Sequence, residues 1–295
     1  MRLKEQLDGT TYGNAWMHRT LIKILKHTNI HILYAFMAVF VIPFTMLFSK
    51  GARITYRYYH RIKGHSKLKS FWNTYRNHTI FGKTVIDKFA MYAGRNFKVN
   101  YFGLDEFKKM TQRPESIIQL SAHIGCSEIV GYSYDNEKPS NVLVFGGEKE
   151  GMMNYRKTVF TNKRIKMIPV GTVEGHSEEI IAALENGEII YAFADRFVNP
   201  RKIINSRLHG HTIDLAKGPF SLVVIRGLDV VMTCAMKEHD GSYTAYLTPL
   251  HYDKTLKYSE QCQQLADAYT NEIERLLKLY PLQWFNYSDI WTKES

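Results

Sequence analysis

Two histidines in this 295-residue chain are followed five residues later by a carboxylate: His123 by Glu128 in "SAHIGCSE", and His209 by Asp214 in "HGHTID". A histidine with a carboxylate on Nδ1–H is the minimal general base, because the carboxylate fixes the tautomer and stabilises imidazolium while Nε2 takes the proton. With twelve histidines in the chain, chance supplies roughly one such match, so the spacing alone carries little. The second pair admits another chemistry. His209, His211 and Asp214, with Asp195 as a further carboxylate, are ligand types that suit zinc or manganese in a metal-dependent hydrolase. Their H-x-H-x2-D spacing is loose.

Context separates the two pairs. "SIIQLSAH" is an apolar run that stops at Ser121, so His123 is expected where a buried strand ends, at the carboxyl edge where open α/β sheets bind ligands. Residues five apart on one helix are about 140° apart and do not face each other. His123 must therefore lie in the turn, with Gly125 allowing a tight bend and Ser127 as N-cap, so that Glu128 on the first helical turn can fold back onto the imidazole. His209 falls in a polar, strongly basic stretch, "NPRKIINSRLHGHTID", read here as a loop. Position favours His123 with Glu128. Asp195 and Arg196 close another apolar run, "EIIYAFADR", and are expected at the same edge.

The remaining pattern gives the frame. "NVLVFGG", "IKMIPVG", "EIIYAFAD", "DVVMTCAMKE" and "YTAYLTPL" read as strands, most too continuously apolar for a sheet with one wet face. Helical stretches lie between them: "SEIVGYSYDN", "MNYRKTVFTNK", "SEEIIAALENG" and "LAKGPFSLVVIRG", with a long amphipathic helix over 258–280. The alternation predicts an α/β fold, a largely parallel or mixed central sheet covered by helices on both faces, preceded by an N-terminal membrane-associated helix. The organisation is a basic arm over residues 1–69 and a catalytic domain over 70–295.

The net charge of +11 is concentrated in that arm. Residues 1–69 hold twelve Lys plus Arg against Glu5 and Asp8, leaving about +1 for the other 226 residues. Charge confined to an arm argues against a nucleic-acid partner, whose footprint would lie on the domain itself. Residues 32–48, "ILYAFMAVFVIPFTMLF", form an apolar helix with Thr45 as its polar break; seventeen residues rise about 25 Å, a borderline span. Its flanks are basic on both sides, and Arg53, Arg57 and Arg61 share a helical face beside Tyr56, Tyr58 and Tyr59. Cations and tyrosines beside an apolar helix suit an anionic membrane surface. With both flanks positive, a true span and a re-entrant or interfacial helix kinked at Pro43 remain equally open. No cleavage site follows the helix, so it is expected to stay in the mature protein. Cys126, Cys234 and Cys262 are far apart, which points away from a disulfide framework and a zinc ribbon.

"SAHIGCSE", "ALENGEIIYAFADR", "KGPFSLVVIRGLDVV" and "NEIERLLKLYPLQWFNY", in that order and at those spacings, resemble the bacterial lipid A biosynthesis acyltransferase family, a branch of the lysophospholipid acyltransferase superfamily. The resemblance covers roughly residues 70–290. It implies transfer of a fatty acyl group from acyl carrier protein or coenzyme A thioester, a co-substrate rather than a cofactor, to a hydroxyl or amine of a membrane lipid such as a lipid A precursor or lysolipid. It implies His123 as base with Glu128 as orienter, no metal, and a place at the bacterial inner membrane facing the cytoplasm. Arg156 lies about where the family carries a substrate-side arginine, and Asp195 falls in a block that carries an aspartate, implying substrate binding by Arg156, Asp195 and Arg196. One block departs from the family: "QWFNYSDIW" has Asn286 and Asp289 where basic residues are usual. The acceptor therefore stays open.

Overall fold

The computed structural model describes residue 20 and residues 24–25, 28–134, 137–145, 164–170, 176–197 and 199–292. The expected helix "MNYRKTVFTNK", and Arg156 within it, lie outside the described residues.

The chain begins its described course with three helices. α1 (Ile30–Phe48) contains a π-turn over Met37–Val41, just before Pro43. α2 (Lys50–Arg57) runs on into a second π-turn, Tyr58–Ile62. α3 (Lys67–Tyr92) is capped by Ser66 and passes without a break through the 69/70 division between arm and domain. β1 (Val99–Phe102) and α4 (Leu104–Thr111) then lead to β2 (Ile117–Ser121). Next come α5 (Glu128–Ser133), β3 (Ser140–Phe145), β4 (Ile165–Val170), α6 (His176–Glu185) and β5 (Ile189–Phe193). After them come β6 (Ile203–Leu208), β7 (His211–Ala216), α7 (Lys217–Arg226), β8 (Asp229–Lys237), β9 (Tyr243–Leu250) and α8 (Tyr258–Leu279).

A seven-stranded sheet, in the order β1-β9-β8-β2-β5-β3-β4, forms the centre. Five neighbouring strands, from β8 to β4, are parallel, while β9 pairs antiparallel with β8 and carries β1 with it. The sheet is therefore mixed. The reversal comes from a tight turn at Asp240-Gly241, where Gly241 takes φ +88° and Asp240 accepts the Ser242 amide. Only glycine adopts that φ without cost, which makes Asp-Gly a hairpin signal.

Both faces of the sheet are covered, which explains why the strands read as continuous apolar runs. On one face Ile118, Leu120, Ile190, Ala192, Met232 and Cys234 pack with Phe220 and Val223 of α7 and Leu265, Tyr269 and Ile273 of α8. On the other, Ala235 meets Met91 of α3 and Ile129 and Val130 of α5, and Val144 and Met167 meet α1 and α3.

The stretch expected to be a basic loop around His209 is instead a two-stranded hairpin, β6 with β7, closing on Leu208 opposite His211. Its turn is His209-Gly210, both at positive φ (52° and 81°), the backbone that tight hairpin turns require.

Candidate active site

β2 and β5 lie side by side with Ser121 opposite Phe193. Carrying that register two residues further brings His123 beside Asp195, and there they meet. The His123 backbone N–H donates to Asp195 Oδ2 and the ring Nδ1 pairs with Oδ1, each at 2.7 Å. Asp195 is buried, whereas the His123 side chain stays 29% exposed. The Phe193 ring lies against the imidazole at 4.8 Å between centroids. A carboxylate on Nδ1 makes that nitrogen the protonated one, so Nε2, which has no partner among the described residues, is left as a proton acceptor.

Glu128 does something other than what the sequence predicts. Its carboxylate accepts from the Tyr92 hydroxyl at 2.6 Å and from Lys88 Nζ at 3.3 Å, both on α3. Nδ1 of His123 is held by Asp195 in place of Glu128. The physical reason is the register: a buried carboxylate on the neighbouring strand end reaches ring and backbone at once, while Glu128 opens α5 and is drawn to the cation and hydroxyl of α3. Ser127 takes the N-cap position as expected but makes no capping bond with its side chain.

The turn between His123 and Glu128 is fixed by close backbone approach. Gly125 has φ +58°, and a Cβ there would run into the Ala235 carbonyl oxygen, which already accepts from the Cys126 amide at 2.7 Å. The closing segment of the chain supports the other side. Phe285 N–H donates to the His123 carbonyl at 2.7 Å, and Gly125 N–H donates to that of Gln283 at 3.0 Å. Asn286 then holds the end of β5 to the closing segment. Its amide donates to the Asp195 carbonyl at 2.7 Å, and its Oδ1 accepts from Arg196 Nε at 3.1 Å. Arg196 also donates to the Phe285 carbonyl at 3.0 Å. Arg196 thus sits at the expected edge and is engaged with the closing segment. The residue that departs from the family's usual pattern, Asn286, is one that the site uses.

Electrostatics agree with a neutral base beside a charged carboxylate. Burial lowers the pKa of His123; Asp195 opposes that shift and Arg196 adds to it, and the net direction is down. For Asp195 burial alone would raise the value, but the His123 ring, the hydrogen bonds it donates and Arg196 together hold it below the ordinary carboxylate range. Cys126, two residues before Glu128, is no nucleophile: burial pushes its thiol up to about 12, and the thiolate is the reactive form.

His209, His211 and Asp214 do not converge, and the metal-site alternative falls with them. His209 Nε2 contacts the Tyr58 hydroxyl at 3.2 Å and its amide donates to Glu274. Asp214 accepts from Asn205 at 2.6 Å and Thr292 at 2.8 Å. Among the described residues no group of three or more His, Cys, Asp or Glu is placed to hold a metal ion.

A half-exposed histidine at a strand end, with a buried carboxylate behind it on a helix-covered mixed sheet, is an arrangement that can move a proton. The family model described as bacterial lipid A biosynthesis acyltransferase matches residues 79–292, and the chain belongs to that family. It is therefore an acyltransferase of lipid biosynthesis, acting between an acyl donor and a lipid acceptor. Among curated proteins no match to the sequence is found. The candidate residue that sequence reasoning placed in a substrate-binding role, Asp195, was the missing partner of His123; its signal was its place two residues beyond a strand end, the same as that of His123.

Proposed function

We propose that this chain moves a fatty acyl group from an acyl thioester, of acyl carrier protein or coenzyme A, to a hydroxyl or amine of a membrane lipid such as a lipid A precursor or a lysolipid. The observation that carries the reading is the two-point grip of Asp195 on His123, which leaves Nε2, without a partner among the described residues, at the carboxyl edge of the sheet. In this mechanism Nε2 takes the acceptor proton as the acceptor oxygen or nitrogen attacks the thioester carbonyl. Asp195 stabilises the imidazolium. When the tetrahedral intermediate collapses the carbon–sulfur bond breaks, and the departing thiolate takes the proton from imidazolium. No acyl-enzyme forms, and neither step calls for a cofactor.

Glu128 then acts as a positioning residue, bracing the catalytic turn against α3 through Lys88 and Tyr92. Arg196 positions the closing segment over the site. Arg156 remains a proposed substrate-side cation. Thioester donors are made in the cytoplasm, so the proposed location is the cytoplasmic face of a bacterial inner membrane.

The test is turnover of a labelled acyl thioester with a lipid acceptor by the full chain, with and without chelator. Wild type and His209→Ala are expected to turn over equally and to ignore chelator, and His123→Ala is expected to be inactive. Full activity in His123→Ala overturns the mechanism. Lipid binding without turnover in the wild type would assign the fold to a carrier instead.

A further inference from the structure

An apolar helix of nineteen residues, Ile30–Phe48, has two ways to meet a bilayer. It can cross, with its ends on opposite sides, or lie in one leaflet with both ends on the same side. The contacts of α1 bear on the choice, because both of its ends are tied to the catalytic domain.

At its start, the Tyr34 hydroxyl donates to the buried carboxylate of Asp87 in α3. That carboxylate also holds Lys237 Nζ, at the end of β8, at 2.5 Å. Just before α1, the Arg95 guanidinium donates to the carbonyls of Leu25 and Thr28. In the middle, the Tyr75 hydroxyl donates to the Ala38 carbonyl at 3.1 Å. There Met37 fills the notch left by Gly82, where a Cβ would strike its sulfur. At the far end, Ser49 accepts from the Ala52 amide and starts α2 at once. Two residues on, Gly51 lies against the Tyr287 ring, which stacks on His78 of α3 at 4.8 Å. α1 thus runs antiparallel alongside α3, from Asp87 toward His78 and beyond.

We infer that α1 is an in-plane membrane helix, seated in one leaflet of an anionic bilayer with both ends on the side of the catalytic domain. The inference rests on the reading that the chain works at a membrane. A crossing α1 would take its neighbour α3 with it, and α3 carries the exposed Arg76 beside Tyr75, level with the middle of α1. Each cation at mid-bilayer costs at least about 2.5–3.5 kcal/mol. An in-plane α1 carries no such penalty. Only Met37 and Ile42 of α1 are buried. Its outer face bears a stripe of Phe36, Phe40, Phe44 and Phe48 at i+4 spacing, the successive pairs in ring contact at 5.3 and 5.4 Å where 36 meets 40 and 44 meets 48. All four rings are exposed, and Leu68 and Trp72 at the start of α3 extend the stripe. Lys50, Arg53, Lys67 and Lys69 stand exposed around its far end. An aromatic stripe edged by cations matches acyl chains beneath anionic headgroups, and the charge would be wasted against a second copy of this basic arm.

The test reads the two ends of α1 separately from membrane attachment. Cys126, Cys234 and Cys262 are buried, so single exposed cysteines placed by His31→Cys or Lys50→Cys in the full chain can be labelled with an impermeant maleimide in membrane vesicles of each orientation. Both positions are expected to label from the same side. Labelling from opposite sides, in a protein that still sediments with membranes, overturns the in-plane helix and leaves the membrane reading intact. In flotation with phosphatidylglycerol-containing vesicles, the double variant Phe40→Asp, Phe44→Asp is expected to bind at least tenfold less than wild type. Unchanged flotation, together with conversion of a dimer to a monomer, would give the face to a second copy and overturn the inference.

Discussion

His123 and Asp195 lie 72 residues apart in the chain and meet at two atoms, because each stands two residues beyond the end of one of a pair of adjacent parallel strands. The strand pairing, set by ladder hydrogen bonds deep in the core, thereby fixes the tautomer of a half-exposed ring at the rim. The chemistry proposed for the chain depends on that transmission.

Substituting Asp195 by Asn keeps the shape and removes the charge that stabilises imidazolium. We expect kcat to fall on the order of 10²- to 10⁴-fold. Asp195 raises the His123 pKa against the burial that lowers it, so in Asp195→Asn the acid limb of the pH–rate profile should move to lower pH. Glu128→Gln leaves the Asp195–His123 pair in place and should leave that limb where it is. The reverse pattern would make Glu128 the orienter.

The wild-type profile has its own signature. An active base must be neutral, and His123 titrates below an ordinary histidine. Activity should therefore persist below pH 6.5, the reference value for histidine, before the acid limb begins. An acid limb centred above that value in kcat/KM would contradict the partly desolvated, carboxylate-held ring.

Gly125→Ala adds one methyl group to the catalytic turn. The residue would have to keep φ +58° with its Cβ against the Ala235 carbonyl. The left-handed backbone alone costs about 1–3 kcal/mol, so thermal melting should drop by several degrees and turnover should be lost together with the turn. Gly64→Ala and Gly210→Ala, at positive φ with no atom near the new methyl, are the controls: both should lose some stability and keep activity.

The Asp87–Lys237 pair is buried on both sides. Removing one partner strands the other in the core, which costs about 3–5 kcal/mol, so Asp87→Ala should melt far below wild type. Asp87→Asn with Lys237→Met removes both charges and should recover much of the loss. A double variant no more stable than Asp87→Ala would show that the polar contacts of Tyr34 and Tyr243 to Asp87, rather than the ion pair, hold this part of the fold.

His209 gives a stability test with a definite sign. Burial, with Lys63 nearby, lowers its pKa to about 4 in the folded chain, against about 6.5 unfolded. Between these values the unfolded chain binds the extra proton and the folded chain does not, so stability falls as pH drops from about 6.5 toward 4. His209→Asn, which tolerates the positive φ of the turn, should flatten this part of the stability curve without changing kcat at neutral pH.

Much of this architecture is written in local pattern. The strand at Ile117–Ser121 and the helix at Tyr258–Leu279 announce themselves by continuous and by 3.6-residue apolar periodicity, and the turn after β2 by Gly125. What periodicity does not carry is adjacency. Nothing local says that β5 rather than β3 lies beside β2, so Asp195 reads as an edge residue without a partner and Glu128, close in sequence, takes its role by default. The hairpin at His209-Gly210 hides behind its charges, because a two-residue turn of a basic ribbon looks like a loop. The arm shows the same gap at larger scale: apolar length is plain in residues 32–48, while the tie of each end to the body comes from Asp87, Arg95 and Tyr287, far along the chain.

The closing segment has a consequence for any attempt to simplify the protein. Gln283 receives the Lys237 amide and donates to the Lys237 carbonyl with its side chain, acting as a surrogate peptide that lengthens β8 by one rung, and its neighbours roof the histidine turn. A single nick in the stretch between α8 and Gln283 would leave His123, Asp195 and the sheet with its covering helices in place. Once the tail detached, it would still unroof the site, so that cleavage there would work as an off switch without touching the chemistry.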